Sequence, residues 1–164
     1  MSVQQRNTFA KRKTPSPWEL KRVDLRTRMI RDGDIAARIE LVHEERGKVT
    51  DLATGKGGME TAFRAIAQAM GIEGRLDALW VTARSDEKTG AWLVSACVNV
   101  TCGKSSFPGS CVDADVLAAC CGAYMQALAT AAQIQLTQLN ADDRFPAETG
   151  DRGGGTWQHR PSPT

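Results

Sequence analysis

The chain has 164 residues, 41% of them hydrophobic, and its 21 Lys and Arg against 19 Asp and Glu leave a net charge of +2. That is enough for one domain with its own core, and the balance by itself marks out no class of partner. No apolar run reaches the roughly 18 residues of a membrane span, and no charged-then-apolar start carries a cleavage site, so a soluble, cytoplasmic protein without membrane attachment is expected.

The charge is unevenly placed. Residues 1–31 hold nine Lys or Arg against only Glu19 and Asp24. Residues 1–16 are polar, basic and proline-bearing and read as a disordered arm. From Trp18 to about Met29, Leu20, Val23 and Leu25 alternate imperfectly with Lys21, Arg22, Asp24 and Arg26, as in an outer strand. Arg31, Asp32, Gly33 and Asp34 are turn chemistry, and Ile35, Ala37, Ile39 and Leu41 then alternate with Ala36, Arg38 and Glu40 as a half-buried strand. Arg46, Gly47 and Lys48 turn the chain, and residues 49–53 return as a third strand.

The stretch TGKGGMETAFRAIAQAM, residues 54–70, organises the first half. Met59, Ala62, Phe63, Ile66, Ala67 and Met70 share one helical face, and Glu60, Arg64 and Gln68 take the other. Ahead of them, Gly55, Gly57 and Gly58 are expected to turn the backbone tightly and aim amide N–H groups outward. A helix N-terminus there favours an anion.

The second half repeats the order. Residues 76–83 read as a strand with Leu79, Val81 and Ala83 on one face. Trp92, Val94, Ala96, Val98 and Val100 alternate against Leu93, Ser95, Cys97 and Asn99. A turn at Gly103 and Lys104 leads into a short strand to about Cys111, and a second helix runs from Asp113 to about Ala132. Asp113 is its expected N-cap, with Asp115 in the first turn. An offset of about 57 residues superimposes both the strand and the helix patterns of the two halves. The fold class is therefore α+β, two pseudo-repeated βββα units packed together, about 18–72 and 75–132 within a domain at 17–135. Each unit alone is too thin for a stable core. Residues 140–164, rich in Pro and Gly, read as a second disordered tail.

The five cysteines (Cys97, Cys102, Cys111, Cys120, Cys121) are odd in number and mostly lie in apolar patterns, so they read as reduced core thiols rather than a disulfide framework or metal site. His43 and His159 have no partner and form no H-x-H pair, so no metal or other cofactor is expected. Gly103, Lys104 and Ser105 imitate the end of a phosphate loop, but Val98 stands where its first glycine belongs. No catalytic residue emerges.

The string GKGGMETAFRAI resembles the G-N-G-P-V-D-A-A-F-K-A-I signature in the C-terminal regulatory domain of 2-isopropylmalate synthase. Downstream, VDADVLAACCGAYMQAL is similar to that domain's second signature, V-x-T-D-I-I-E-A-S-A-x-A-Y-x-x-A-L. Between them LWVTA stands where the family has a Y-x-V-x-A strand. The resemblance covers about Trp18 to Ala132. It implies a pseudo-symmetric pair of βββα units, a homodimer, and leucine bound near the dimer interface as feedback inhibitor. Carried over, Gly55, Lys56, Gly57, Gly58, Met59 and Ala62 would line the effector pocket, with Trp80, Thr82 and Ala83 as a wall and Asp115 at the start of the second helix. The chain departs from the family at Lys56 (often Asn), Gly58 (Pro) and Cys120 (Ser). Lys56 adds a charge that can pair an effector carboxylate, and Trp80 is larger than the usual occupant and would shrink or re-aim the pocket.

The synthase's condensation chemistry belongs to a metal-dependent barrel of roughly 250 residues, which does not fit in this chain. The reading is a stand-alone regulatory and dimerisation domain that binds leucine, a related amino acid or a 2-keto acid and acts on a separately encoded synthase. Two alternatives are a purely structural dimerisation module whose pocket has closed around Trp80, and a nucleic-acid-binding module using the basic arm.

Overall fold

The computed structural model describes residues 16–27 and 34–142. Within them the chain builds one motif twice: β1 (Trp18–Thr27), β2 (Ile35–His43), β3 (Gly47–Gly55) and α1 (Gly58–Met70), then β4 (Arg75–Ser85), β5 (Trp92–Cys102), β6 (Ser105–Asp113) and α2 (Val116–Asp142). Each half is a three-stranded antiparallel sheet, ordered β1-β2-β3 and β4-β5-β6. The expected α+β architecture of two βββα units is the one observed. The expected basic arm, the turn at residues 31–33 and the C-terminal tail beyond 142 lie outside the described residues.

Side-chain alternation sets which face each central strand buries. In β2, Ala37, Ile39 and Leu41 are fully buried, and in β5 Val94, Ala96, Val98 and Val100 are buried under the helix layer. Trp92, which opens the same alternation, is exposed at the strand end. The two tight hairpins turn on Gly47 and Gly103, at φ of 74° and 63°, a left-handed conformation that costs any residue with a Cβ.

Three local expectations need correction. First, none of Gly55, Gly57 and Gly58 is among the glycines with positive φ; the demand at Gly55 and Gly58 is for space. A Cβ on Gly55 would lie 2.6 Å from the Thr61 hydroxyl, and one on Gly58 3.1 Å from a Leu25 methyl. Second, the N-cap of α2 is Asp115, not Asp113. The Asp115 carboxylate accepts the Ala118 N–H at 2.8 Å, and Asp113 in turn accepts the N–H of Asp115. Third, α2 runs to Asp142 rather than ending near Ala132, and by length and composition it is apolar enough to span a membrane. Most of its apolar stretch is buried in the protein, as in a core helix.

A single hydrophobic core joins the two units. α2 lies against β5 and β6 and also reaches β1 of the other unit. Small residues permit that close seat. Ala119, Cys120, Ala123 and Ala127 are fully buried along α2, and a Cβ on Gly109 of β6 would overlap the Ala123 carbonyl oxygen. Phe63 of α1 stacks on Tyr124 of α2 with ring centroids 4.5 Å apart.

The pseudo-symmetry breaks at the helices. α1 has 13 residues and α2 has 27. α1 covers β2 and β3 and touches β1, but no Cα of α1 comes within 8 Å of β4. Edge strand β4 is consequently left with little cover. From Trp80 to Ser85 every residue is exposed, even though Val81 and Ala83 lie opposite the buried Ala96 and Val94 and thus belong to the inner face.

Candidate effector site

The glycine turn joins β3 to α1. Gly57 is the N-cap in extended conformation, and among the described residues no side chain caps the helix. Thr61 donates both its backbone N–H and its hydroxyl to the Gly57 carbonyl, at 2.9 and 2.6 Å. The other end closes with Gly71 in the left-handed conformation, where the N–H groups of Gly71 and Ile72 return to the carbonyls of Gln68 and Ala67. This is a Schellman ending. It throws the chain across the core, and the Tyr124 hydroxyl donates to the Gly74 carbonyl at 2.7 Å.

Charged groups frame the turn. Lys56 pairs with Asp34 at 2.9 Å. Arg64 holds Glu60 at 2.9 Å and donates to the Thr54 carbonyl at 3.1 Å, tying the first turns of α1 to the end of β3.

The space between α1 and β4 forms an open groove of about 990 Å³. Met59, Phe63, Ala67, Ile72, Leu76 and Leu79 give it apolar walls, Tyr124 contributes from α2, and Glu60, Arg64, Glu73 and Arg75 supply both signs of charge. Burial, the dominant effect, pushes the Tyr124 phenol up to about 12, so it remains a neutral hydrogen-bond donor. Beyond the rim, Asp77 sits below the usual carboxylate range, first because the Thr101 hydroxyl donates to it and then because of Arg75. A cleft with an apolar wall and a few charges of both signs is the kind of surface a zwitterion with a hydrocarbon side chain fits.

Of the ten residues singled out from the sequence, Met59 lines this groove. Gly55, Lys56, Gly57 and Gly58 lie together at the N-terminus of α1, and Ala62 is fully buried one turn further on. Thr82 and the 57%-exposed Trp80 are on the outer face of β4, and Ala83 is on the inner face. Asp115 stands at the start of α2, engaged as its cap. Trp80 does not line the groove and leaves it open. Arg64, Ile72, Leu76, Leu79 and Tyr124 were not among the expected site residues. Tyr124 carried one signal, since it is the only tyrosine in the chain and follows the apolar opening turns of α2.

Several of the other candidates have structural roles. The His43 Nδ1 accepts the N–H groups of Glu45 and Arg46 at 3.1 and 3.2 Å, and its ring meets Trp18 edge-on at 4.5 Å. Cys102, Cys120 and Cys121 are buried free thiols, Cys111 is half-buried and Cys97 is exposed, which departs from the expectation of core thiols throughout. Among the described residues no cluster of His, Cys, Asp or Glu is arranged to hold a metal ion. The basic side chains of β1 are partly neutralised in place, Lys21 by Glu19 at 2.8 Å and Arg22 by Asp24 at 2.7 Å.

The family model described as the LeuA allosteric (dimerisation) domain matches residues 5–132. The chain belongs to this family. The match takes in all six strands, α1 with its glycine turn, the residues lining the groove, and α2 as far as residue 132. A search of curated proteins returned no match. As a LeuA allosteric (dimerisation) domain the chain has a regulatory, dimer-forming role.

Proposed function

We propose that this domain senses a small amino acid, leucine or a relative of it, or the corresponding 2-keto acid, and that it works as a homodimer in the cytoplasm. Its output is control of an acyl-transferring synthase activity of the 2-isopropylmalate type. The observation that carries the reading is the apolar groove beside α1, with Arg64 and Glu60 at its mouth, in a member of an allosteric family. A bound amino acid offers a carboxylate to Arg64 or to the N–H groups opening α1, an ammonium to Glu60 or Glu73, and a side chain to the groove. The glycine turn and the groove share Met59, so a ligand lying along α1 can use both. Regulation follows if the ligand prefers one state of the assembly, and it extends only as far as that preference.

The test is a thermal-shift screen against the amino acids and branched-chain 2-keto acids. A ligand at a hundred times its Kd adds about 2.7 kcal/mol of stability. Ala67→Trp fills the groove, and Lys56→Glu reverses the charge at the turn. Loss of the shift in the first variant alone assigns the groove, and loss in the second alone assigns the turn. A folded protein that ignores every compound contradicts the sensor and leaves the structural dimerisation module. A basic-arm nucleic-acid module would instead show binding that weakens steeply with salt.

A further inference from the structure

We propose that the homodimer forms along β4, whose free edge pairs antiparallel with β4 of a second copy and merges two three-stranded sheets into one of six, ordered β6-β5-β4-β4-β5-β6. The proposal rests on the family's description as a dimerisation domain, and it adds the surface.

Among the described residues the two three-stranded sheets have four edge strands, β1, β3, β4 and β6. An exposed edge invites pairing unless charges, proline or glycine blunt it. β1 carries Glu19, Lys21, Arg22, Asp24 and Arg26, and β3 carries Lys48 and Asp51 and is bounded by Gly47 and Gly55. β6 has Pro108 and Gly109 near its middle. β4 carries Arg75, Asp77 and Arg84 and a register shift between Leu76 and Ala78, but its residues 78–83, Ala-Leu-Trp-Val-Thr-Ala, have no charge, proline or glycine. They are also left open on both faces from Trp80 onward, with Trp80 57% and Val81 44% exposed. β1, the counterpart of β4 in the first unit, is instead covered by α2.

Two-fold symmetry restricts the register. Directly opposed residues in an antiparallel pair share a face, so the axis passes through a residue position. An axis at Val81 sets Val81 against its own copy, Trp80 against the partner's Thr82, and Leu79 against the partner's Ala83. Large side chains then meet small ones. The same register sets Arg84 against the partner's Ala78 and Asp77 against the partner's Ser85, so opposite charges lie diagonally across each end of the seam. Six paired residues alone fall short of the roughly 1,200 Å² of a stable interface. Cross-strand contact of Trp80 with the partner's Thr82 and of Leu79 with the partner's Ala83 adds side-chain area to the seam. The two grooves then lie on either side of the seam.

The experiment is sedimentation velocity on the full chain across the micromolar range, with folding checked by circular dichroism. Wild type is expected to be a dimer, Val81→Lys a monomer with at least a tenfold higher dissociation constant, and Val112→Lys on the exposed part of β6 unchanged. Val81→Cys in a Cys97→Ser background is expected to oxidise to a covalent dimer, because an opposed pair brings two Cα atoms within disulfide reach. A wild-type monomer overturns the family reading of dimerisation and the seam with it. A dimer that survives Val81→Lys and gives no covalent product with Val81→Cys overturns the seam alone. If Val81→Lys fails to fold, the cross-linking result decides.

Discussion

At Gly55 and Gly57 two neighbouring glycines answer to different constraints. The Gly55 Cα faces the Thr61 hydroxyl at a distance that excludes a methyl group, whereas around Gly57 the nearest atoms belong to Glu60 at 3.7 Å. Gly55→Ala is therefore expected to lose about 1–3 kcal/mol by overpacking, read from a urea melt, and Gly57→Ala, which meets no clash and gives up only glycine's advantage at the N-cap, to lose about 0.5–1 kcal/mol. If Gly57→Ala unfolds the protein as readily as Gly55→Ala, this account of the turn is wrong. The thiols divide in the same way. Burial, with Cys120 and Asp115 adding to it, pushes Cys121 up to about 12, and burial raises Cys102 and Cys120 as well. At pH 8 a maleimide should label Cys97 in the native protein and reach Cys102, Cys120 and Cys121 only after unfolding. The linkage has a definite sign. Cys121 and Tyr124 keep their protons in the folded chain after the unfolded chain has lost them. Their contribution is complete below about pH 9, and stability then falls by up to about 1.4 kcal/mol per pH unit for each such group as pH rises toward 12. Chemical denaturation at pH 8, 9.5 and 10.5 would check this, and a rise in stability over that range would refute it.

Among the elements, α2 differs most from what its sequence suggests. Its first half is apolar on nearly every side because β5, β6 and β1 surround it. Periodicity alone shows that it is a helix but not where it ends, since Ile134, Leu136 and Leu139 continue the apolar composition while pointing to solvent, at 42%, 61% and 65% exposure. Leu136→Ala is expected to shift the urea midpoint within error, whereas Leu128→Ala should cost about 2–5 kcal/mol. Asp115→Ala removes the cap and should cost about 1 kcal/mol in the same assay; an equal loss for Asp113→Ala would instead point to that residue as the main cap. The strands were readable because β2 and β5 each bury one face completely. The offset between the halves was readable for the same reason. The groove was not readable, because it arises from the unequal reach of two helices, a tertiary fact with no local signature. Glu60 and Arg64 were legible as a solvated face of α1, but nothing in that pattern showed that β4 would face them across open space.

For the whole molecule, one asymmetry accounts for several features. A short α1 and a long α2 pack a duplicated unit into one core and leave the inner face of β4 uncovered. Leu76 and Leu79 of β4 form one wall of the groove, and residues 78–83 beyond them make an edge without charge, proline or glycine. An effector in the groove lies beside the strand through which two copies are inferred to meet, so binding and assembly share a surface. Ligand preference for one arrangement then becomes a change in the assembly. The most direct measurement is calorimetric titration of leucine and its 2-keto acid into the dimer, repeated with Ala67→Trp. The account predicts saturable binding that the variant abolishes while the protein remains a folded dimer. Absence of heat with every candidate effector, or binding unchanged in Ala67→Trp and lost only in Lys56→Glu, would contradict the groove as the sensing site.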